Sequence, residues 1–197
     1  MVVPKYNSPF IIDEAFDFGV ETSHKIAETM RGRSGCKPND MGLLAQAIKN
    51  AGDGDYLEIG TFYGATAILA YLTKQKYKLE GKIYCIDDLE YYKDERSVGD
   101  IMNNFEKFSA DILLNVCKSD PFPLPNQFFN CVLIDGGHDF LSCWIDWTNV
   151  RHRTSRYVIF HDYDKDHRGV MEAVNRASND FYPVRISDNS AILERIG

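Results

Sequence analysis

The chain has no apolar run near the ~20 residues that a helix needs to cross a bilayer. Its opening residues, Met1 to Lys5, lack the charged start and apolar centre of a signal peptide. No Cys-x-x-Cys pair occurs among Cys36, Cys85, Cys117, Cys131 and Cys143. A disulfide framework or zinc cluster is therefore not expected, and small buried thiols in a reducing, cytoplasmic setting are the simpler reading. Positive charge is scarce: 22 Lys and Arg stand against 29 Asp and Glu, a formal net charge of -7. Such a surface repels phosphate backbones, so broad nucleic-acid binding is disfavoured. Gly-x-Gly-x-x-Gly is missing, which argues against NAD or FAD, and so is the P-loop pattern Gly-x-x-x-x-Gly-Lys-[Ser/Thr]. There is no internal repeat, low-complexity tract or evident linker, and 197 residues suit a single core.

What is present alternates short apolar runs with amphipathic stretches, the pattern of an α/β domain. Tyr56 to Ile59, Ile83 to Ile86, Ile112 to Val116, Cys131 to Ile134 and Tyr157 to Phe160 read as five strands. Continuous apolar runs of this kind suit a parallel sheet covered on both faces. Pro183 to Ile186 and Ala191 to Leu193, joined by Asp188-Asn189-Ser190, predict a terminal antiparallel hairpin. Between the strands, Met41, Leu44, Ala45 and Ile48 share a helical face, with Asn39 or Asp40 as its cap and Gly52 as its stop. Ala65 to Leu72 follows a glycine turn. Val98, Ile101, Met102, Phe105 and Phe108 recur at helical spacing, as do Phe140, Trp144 and Trp147, and then Val170, Val174 and Ala177. Stripes like these usually face a core. Right-handed crossovers then predict a three-layer sandwich. The first fifty residues fit either helices laid on the sheet edge or a lid.

In an open parallel sheet, ligands bind beyond the carboxyl ends of the strands. Four of the five strand ends carry acids: Glu58, the Asp87-Asp88 pair, Asp135 and Asp162. Crowded carboxylates cost free energy unless each is partnered, so this clustering marks a site. The first strand leads into Glu58-Ile59-Gly60-Thr61-Phe62-Tyr63-Gly64. Gly60 permits a sharp turn and close approach of a ligand, and the helix start beyond Gly64 offers free N–H groups. Arg151, His152, Arg153 and Arg156 read as a solvated cluster after a helix end. Tyr91-Tyr92-Lys93-Asp94-Glu95-Arg96 reads as a loop whose aromatics could border a pocket.

That glycine turn resembles the first motif of class I S-adenosylmethionine (SAM) methyltransferases. Asp87, followed by Asp88, stands where that family places its ribose-binding acid, and Ser119-Asp120 resembles its adenine-contacting segment. Phe129 to His138 and Val158 to Tyr163 resemble the fourth- and fifth-strand motifs of small-molecule O-methyltransferases. The resemblance covers about residues 38 to 195. It implies a Rossmann-like, seven-stranded sheet in the order 3-2-1-4-5-7-6, with residues 38–197 as the methyltransferase domain and residues 1–37 as an extension or lid.

By the same resemblance, Glu58, Gly60, Thr61, Phe62, Tyr63, Gly64, Asp87, Asp88, Ser119, Asp120 and Asp135 would hold SAM. The acceptor would be a small molecule, methylated on a hydroxyl oxygen. Metal-dependent catechol-type members hold magnesium with the fourth-strand acid and an Asp-Asn pair after the fifth strand, which implies Asp135 and Asp162 as ligands. Here Tyr163 replaces the asparagine, His161 precedes Asp162, and His138 replaces a lysine base. The set leaves three roles open: a magnesium site, a transition-metal site with a histidine ligand, or His138 or His161 acting alone as general base alongside Asp162. A homodimer is compatible with the sequence. So is a non-catalytic module, or another transferase on the same scaffold.

Overall fold

The computed structural model describes residues 10–91, 95–178, 181–187 and 189–196. Residues 1–5 at the start, Tyr92, Lys93 and Asp94 of the loop after the second strand, and Asp188 of the terminal turn lie outside the described residues. The elements run α1 (Glu14–Thr29), α2 (Pro38–Ala51), β1 (Tyr56–Ile59), α3 (Ala65–Tyr77), β2 (Ile83–Asp87), α4 (Val98–Lys107) and β3 (Leu113–Val116). They continue with β4 (Phe129–Ile134), α5 (Phe140–Val150), β5 (Thr154–His161), α6 (Arg168–Ala177), β6 (Phe181–Ile186) and β7 (Ser190–Arg195).

The seven strands form one sheet in the order β3-β2-β1-β4-β5-β7-β6. β1 to β5 pair in parallel, and β7 turns antiparallel to both β5 and β6. The order and the terminal hairpin agree with the sequence reading. Strand alternation builds two apolar layers. Tyr56 faces the layer made with α1 to α4, which holds Ile26, Met41, Leu69 and Phe105. Leu57 faces the layer made with α5 and α6, around Trp147, Phe160, Phe181 and Val174. Each large apolar side chain buried this way contributes ~1.5–3 kcal/mol.

Local signals set the helix ends. Ser97 and Asp100 form a reciprocal capping box on α4, and Asp139 caps α5 through the Ser142 amide. Gly52 ends α2 as expected. The start of α2 differs from expectation. The helix begins at Pro38, with Lys37 in the cap position. Proline at the first helical position needs no N–H donor there, so the helix starts before Asn39 and Asp40. Asp40 is thereby freed for another task, described below.

α1 packs on α2 and α3, and its Gly19 makes a close crossing possible: an added Cβ would lie 2.8 Å from the Gly42 Cα. Ile26 and Met30 join the first apolar layer. The segment ahead of α2 is thus a helix laid on the core, followed by a loop, residues 30–37, that reaches the strand ends.

The register decides where the site lies. Ile59 pairs with Ile86 on one side and Ile134 on the other. The residues that follow, Gly60, Asp87 and Asp135, therefore emerge side by side at the carboxyl edge of the sheet.

Candidate functional site

A cavity of about 1070 Å³ opens along that edge. It is lined by Gly60, Thr61 and Phe62 after β1, by Asp87 and Asp88 after β2, by Ser119 and Asp120 after β3, by Asp135 and His138 after β4, and by His161 and Asp162 at the end of β5. The structure thus brings together eleven of the residues read from the sequence. Glu58, Tyr63 and Gly64 do not line it. Glu58 is 0% exposed beneath the turn, where Oε2 accepts from the Tyr56 hydroxyl. Burial pushes its pKa up to about 8.

The glycine turn needs its glycines. Gly60 has φ 90, and a Cβ there would lie 2.1 Å from the Asp135 carbonyl oxygen. Gly64 also has φ 90 and abuts the Phe105 ring. Phe62 adopts φ 51, unusual for a side chain that is not glycine. Asp87 holds this strained turn in place. Its Oδ2 accepts from the Thr61 and Phe62 amides, each at 2.8 Å, and its Oδ1 accepts from the Leu89 amide at 2.7 Å. Arg96 then closes on both oxygens, Nη1 and Nη2 each donating at 2.9 Å. Arg96 also donates to the Phe62 and Tyr91 carbonyls and stacks over the Phe62 ring.

Five donors therefore converge on a carboxylate that is 7% exposed. A carboxylate offers about four lone-pair sites. Asp87 is consumed in building the turn, whereas Asp88 beside it is exposed and its Oδ1 accepts from the Glu90 amide.

At the other end of the cavity lies a carboxylate–imidazole network. His161 Nδ1 donates to Asp135 Oδ1 at 2.9 Å and stands 3.4 Å from Asp162 Oδ1. Its Nε2 lies 2.9 Å from the Asn189 amide and 3.7 Å from Asp40 Oδ2. Ser190 Oγ donates to Asp40 as well. Burial opposes a charge on His161, yet Asp135 and its other acidic neighbours hold its pKa well above the usual value. Burial likewise opposes ionisation of Asp162, but the His138 and His161 hydrogen bonds hold it far below the carboxylate range. His138 Nε2 lies 3.0 Å from Asp162 Oδ2, and that bond raises the His138 pKa. Asp162 itself has φ 53, a strained conformation of the sort stored at functional sites.

The oxygen-rich magnesium set suggested by resemblance does not fit this arrangement. The place between Asp135 and Asp162 is taken by the His161 N–H, and Tyr163 turns its ring into the second apolar layer rather than toward the acids. A hard cation held by two carboxylates would have to displace that ring nitrogen.

Comparison with known structures supplies the fold's relatives. An O-methyltransferase from Bacillus cereus solved with S-adenosylhomocysteine superposes with a TM-score of 0.64 at 13% identity, covering 93% of this chain and 91% of that one. TomG from Streptomyces achromogenes, an O-methyltransferase of tomaymycin synthesis solved with SAM, gives 0.64 at 13%, covering 94% and 91%. The methyltransferase PaMTH1 of Podospora anserina gives 0.59 at 12%, covering 100% and 99%. The fold is that of the class I SAM methyltransferases. No protein-family model and no curated protein matches the sequence.

Several residues of this methyltransferase fold's cavity carry no sequence signal as site residues. Cys36 lines the cavity from the loop before α2, and burial pushes its thiol up to about 11. Asp40 reads as a helix cap, and only the 149-residue separation closed by Asn189 brings it to the network. Arg96 shows as one cation in a polar loop. Asp146 on α5 accepts from Ser119 and is pushed up to about 6 by burial. Its spacing from Trp147 hides it within an apolar helix.

Proposed function

We propose that the protein is a SAM-dependent methyltransferase that methylates a hydroxyl oxygen of a small-molecule acceptor. The observation that carries this reading is the continuous cavity. One end has the glycine turn, Asp88 and the Ser119–Asp146 pair, and the other has the His138–Asp162 pair. Bound SAM supplies an electrophilic methyl on a sulfonium, which leaves as the thioether S-adenosylhomocysteine once the acceptor oxygen has taken the methyl.

The chain's own groups do the rest. Gly60, lacking a side chain, leaves the backbone open to close approach. Asp88 offers its carboxylate to the ribose hydroxyls, since Asp87 is spent on the turn. Ser119 and Asp120 border the adenine end. Asp135, tied to His161, adds negative charge on the sulfonium's side of the cavity. His138 Nδ1 takes the acceptor's proton, and Asp162, which accepts from Nε2–H, orients the ring and stabilises the imidazolium that forms. His161 acts as the buried clamp that keeps Asp40, Asp135 and Asp162 in place.

The loop 33–37 lines the same cavity, so acceptor recognition falls to it and to the strand-end loops. It belongs to the 1–37 segment, with residues 38–197 carrying the SAM site. No helix among the described residues is long and apolar enough to cross a membrane. A cytoplasmic setting without nucleic acid suits the acidic charge and unpaired cysteines.

The test is transfer of labelled methyl from SAM to a panel of hydroxylated small molecules. Label appearing in an acceptor, and lost in His138→Ala, supports the reading. Transfer to none of them, together with no SAM binding, removes it.

A further inference from the structure

The His138–Asp162 pair has a third member that the methyl-transfer reading does not use. His167, at the start of α6, packs its ring against His138 with centroids 4.7 Å apart. Gly169 makes that approach possible. A Cβ there would lie 2.6 Å from the His138 carbonyl oxygen, so a side chain would push α6 away from the loop after β4. One nitrogen or oxygen from each of His138, Asp162 and His167 falls within 4.8 Å of the others.

His167 and Asp162 are also oriented from behind. Asp164 Oδ1 accepts from His167 Nδ1 at 3.0 Å, which turns the other ring nitrogen outward. The same oxygen accepts from the Asp166 and His167 amides and so fixes the loop. Asp162 presents Oδ1 to His161 and Oδ2 to His138. A carboxylate-backed histidine and a hydrogen-bonded carboxylate are outer-shell features of transition-metal sites. A tetrahedral ion with bonds of ~2.0–2.1 Å needs ligand atoms roughly 3.3 Å apart. The His138–Asp162 separation is 3.0 Å, so an ion would replace that hydrogen bond with a small widening.

We propose that His138, Asp162 and His167 form a binding site for one zinc-like transition-metal ion. Its fourth position opens on the cavity. Two imidazoles and one carboxylate suit zinc, cobalt or nickel rather than magnesium or calcium. The neighbouring group of Cys36, Asp135 and His161 is the weaker candidate, because both His161 nitrogens are already engaged. An ion on His138 Nε2 displaces the hydrogen there and leaves the neutral ring's one proton on Nδ1, which then has no lone pair for the acceptor's proton. Resting on the methyl-transfer reading, the site is therefore inhibitory: metal loading silences the base.

The test is calorimetric titration of zinc into the full chain after EDTA treatment. The expected result is one ion per chain. Asp164→Asn should weaken binding by ~10–100-fold, and His167→Ala should abolish it while SAM affinity stays at the wild-type value. No zinc binding by the wild type overturns the site, whatever SAM does. So does binding that survives His167→Ala or is lost in Cys36→Ser. In a turnover assay, zinc should lower kcat, EDTA should restore it, and His167→Ala should resist zinc. Turnover unchanged by saturating zinc overturns the inhibitory role. Failure of the methyltransferase reading would instead show as absent SAM binding with zinc binding intact.

Discussion

Replacing Asp87 by alanine removes the anchor of the glycine turn. Arg96, its side chain only 1% exposed, would keep its bonds to the Phe62 and Tyr91 carbonyls but lose its counter-charge. The amides of Thr61, Phe62 and Leu89 would lose their acceptor together. Removing one partner of a buried pair costs about 3–5 kcal/mol. At ~2–4 °C per kcal/mol for a chain of this size, Tm should fall by roughly 6–20 °C. Replacing Arg96 by methionine as well should recover part of that loss, because no uncompensated guanidinium then remains. Asp88→Ala is the counterpart. It is exposed, so stability should change by no more than ~0.5 kcal/mol. Loss of charge-assisted bonds to ribose, worth about 1.5–3 kcal/mol, should weaken SAM by roughly 10- to 150-fold. Scanning calorimetry and SAM titration on the same samples separate the two. If Asp87→Ala keeps the wild-type Tm yet loses SAM affinity, while Asp88→Ala binds normally, then Asp87 reads the ribose directly and the clamp argument is wrong.

Three further outcomes follow from the geometry. Gly60→Ala should distort the turn, because its Cβ would meet the Asp135 carbonyl at 2.1 Å, and both Tm and SAM affinity should drop; normal binding would show that the turn does not touch SAM. Glu58 holds its proton up to about pH 8 when folded, against an ordinary value of 4.5. The folded state therefore binds the extra proton between those values, and stability should fall as pH rises through that window, by at most about 1.4 kcal/mol per pH unit. Glu58→Gln should flatten that slope in chemical denaturation, and an unchanged slope would assign it elsewhere. His138→Ala should lower kcat by ~10²–10⁴ with SAM affinity retained; unchanged turnover would reject His138 as the base.

The sheet was legible because strands covered on both faces must be continuously apolar, and because acids stand just where β1, β2, β4 and β5 end. The edge strand β3 was the loosest of these: it starts at Leu113 rather than Ile112, and both Leu113 and Val116 are exposed. α1 was not legible. Its buried side is built from Ala15, Gly19, Thr22 and Ser23 as well as Ile26, small or polar residues that carry little periodic signal. The site was legible wherever a residue follows a strand. It was hidden wherever a partner arrives through a loop or from a helix, as with Arg96 on Asp87, Asp40 and Asn189 on His161, and His167 on His138. Sequence spacing alone does not show those encounters; Gly169 is the one trace of the last.

The most direct test is calorimetric titration of SAM and of S-adenosylhomocysteine into the wild-type chain. Saturable binding of one molecule per chain, weakened by Asp88→Ala without loss of Tm, is the predicted result. No heat with either compound from a folded sample would contradict the assignment of the cavity.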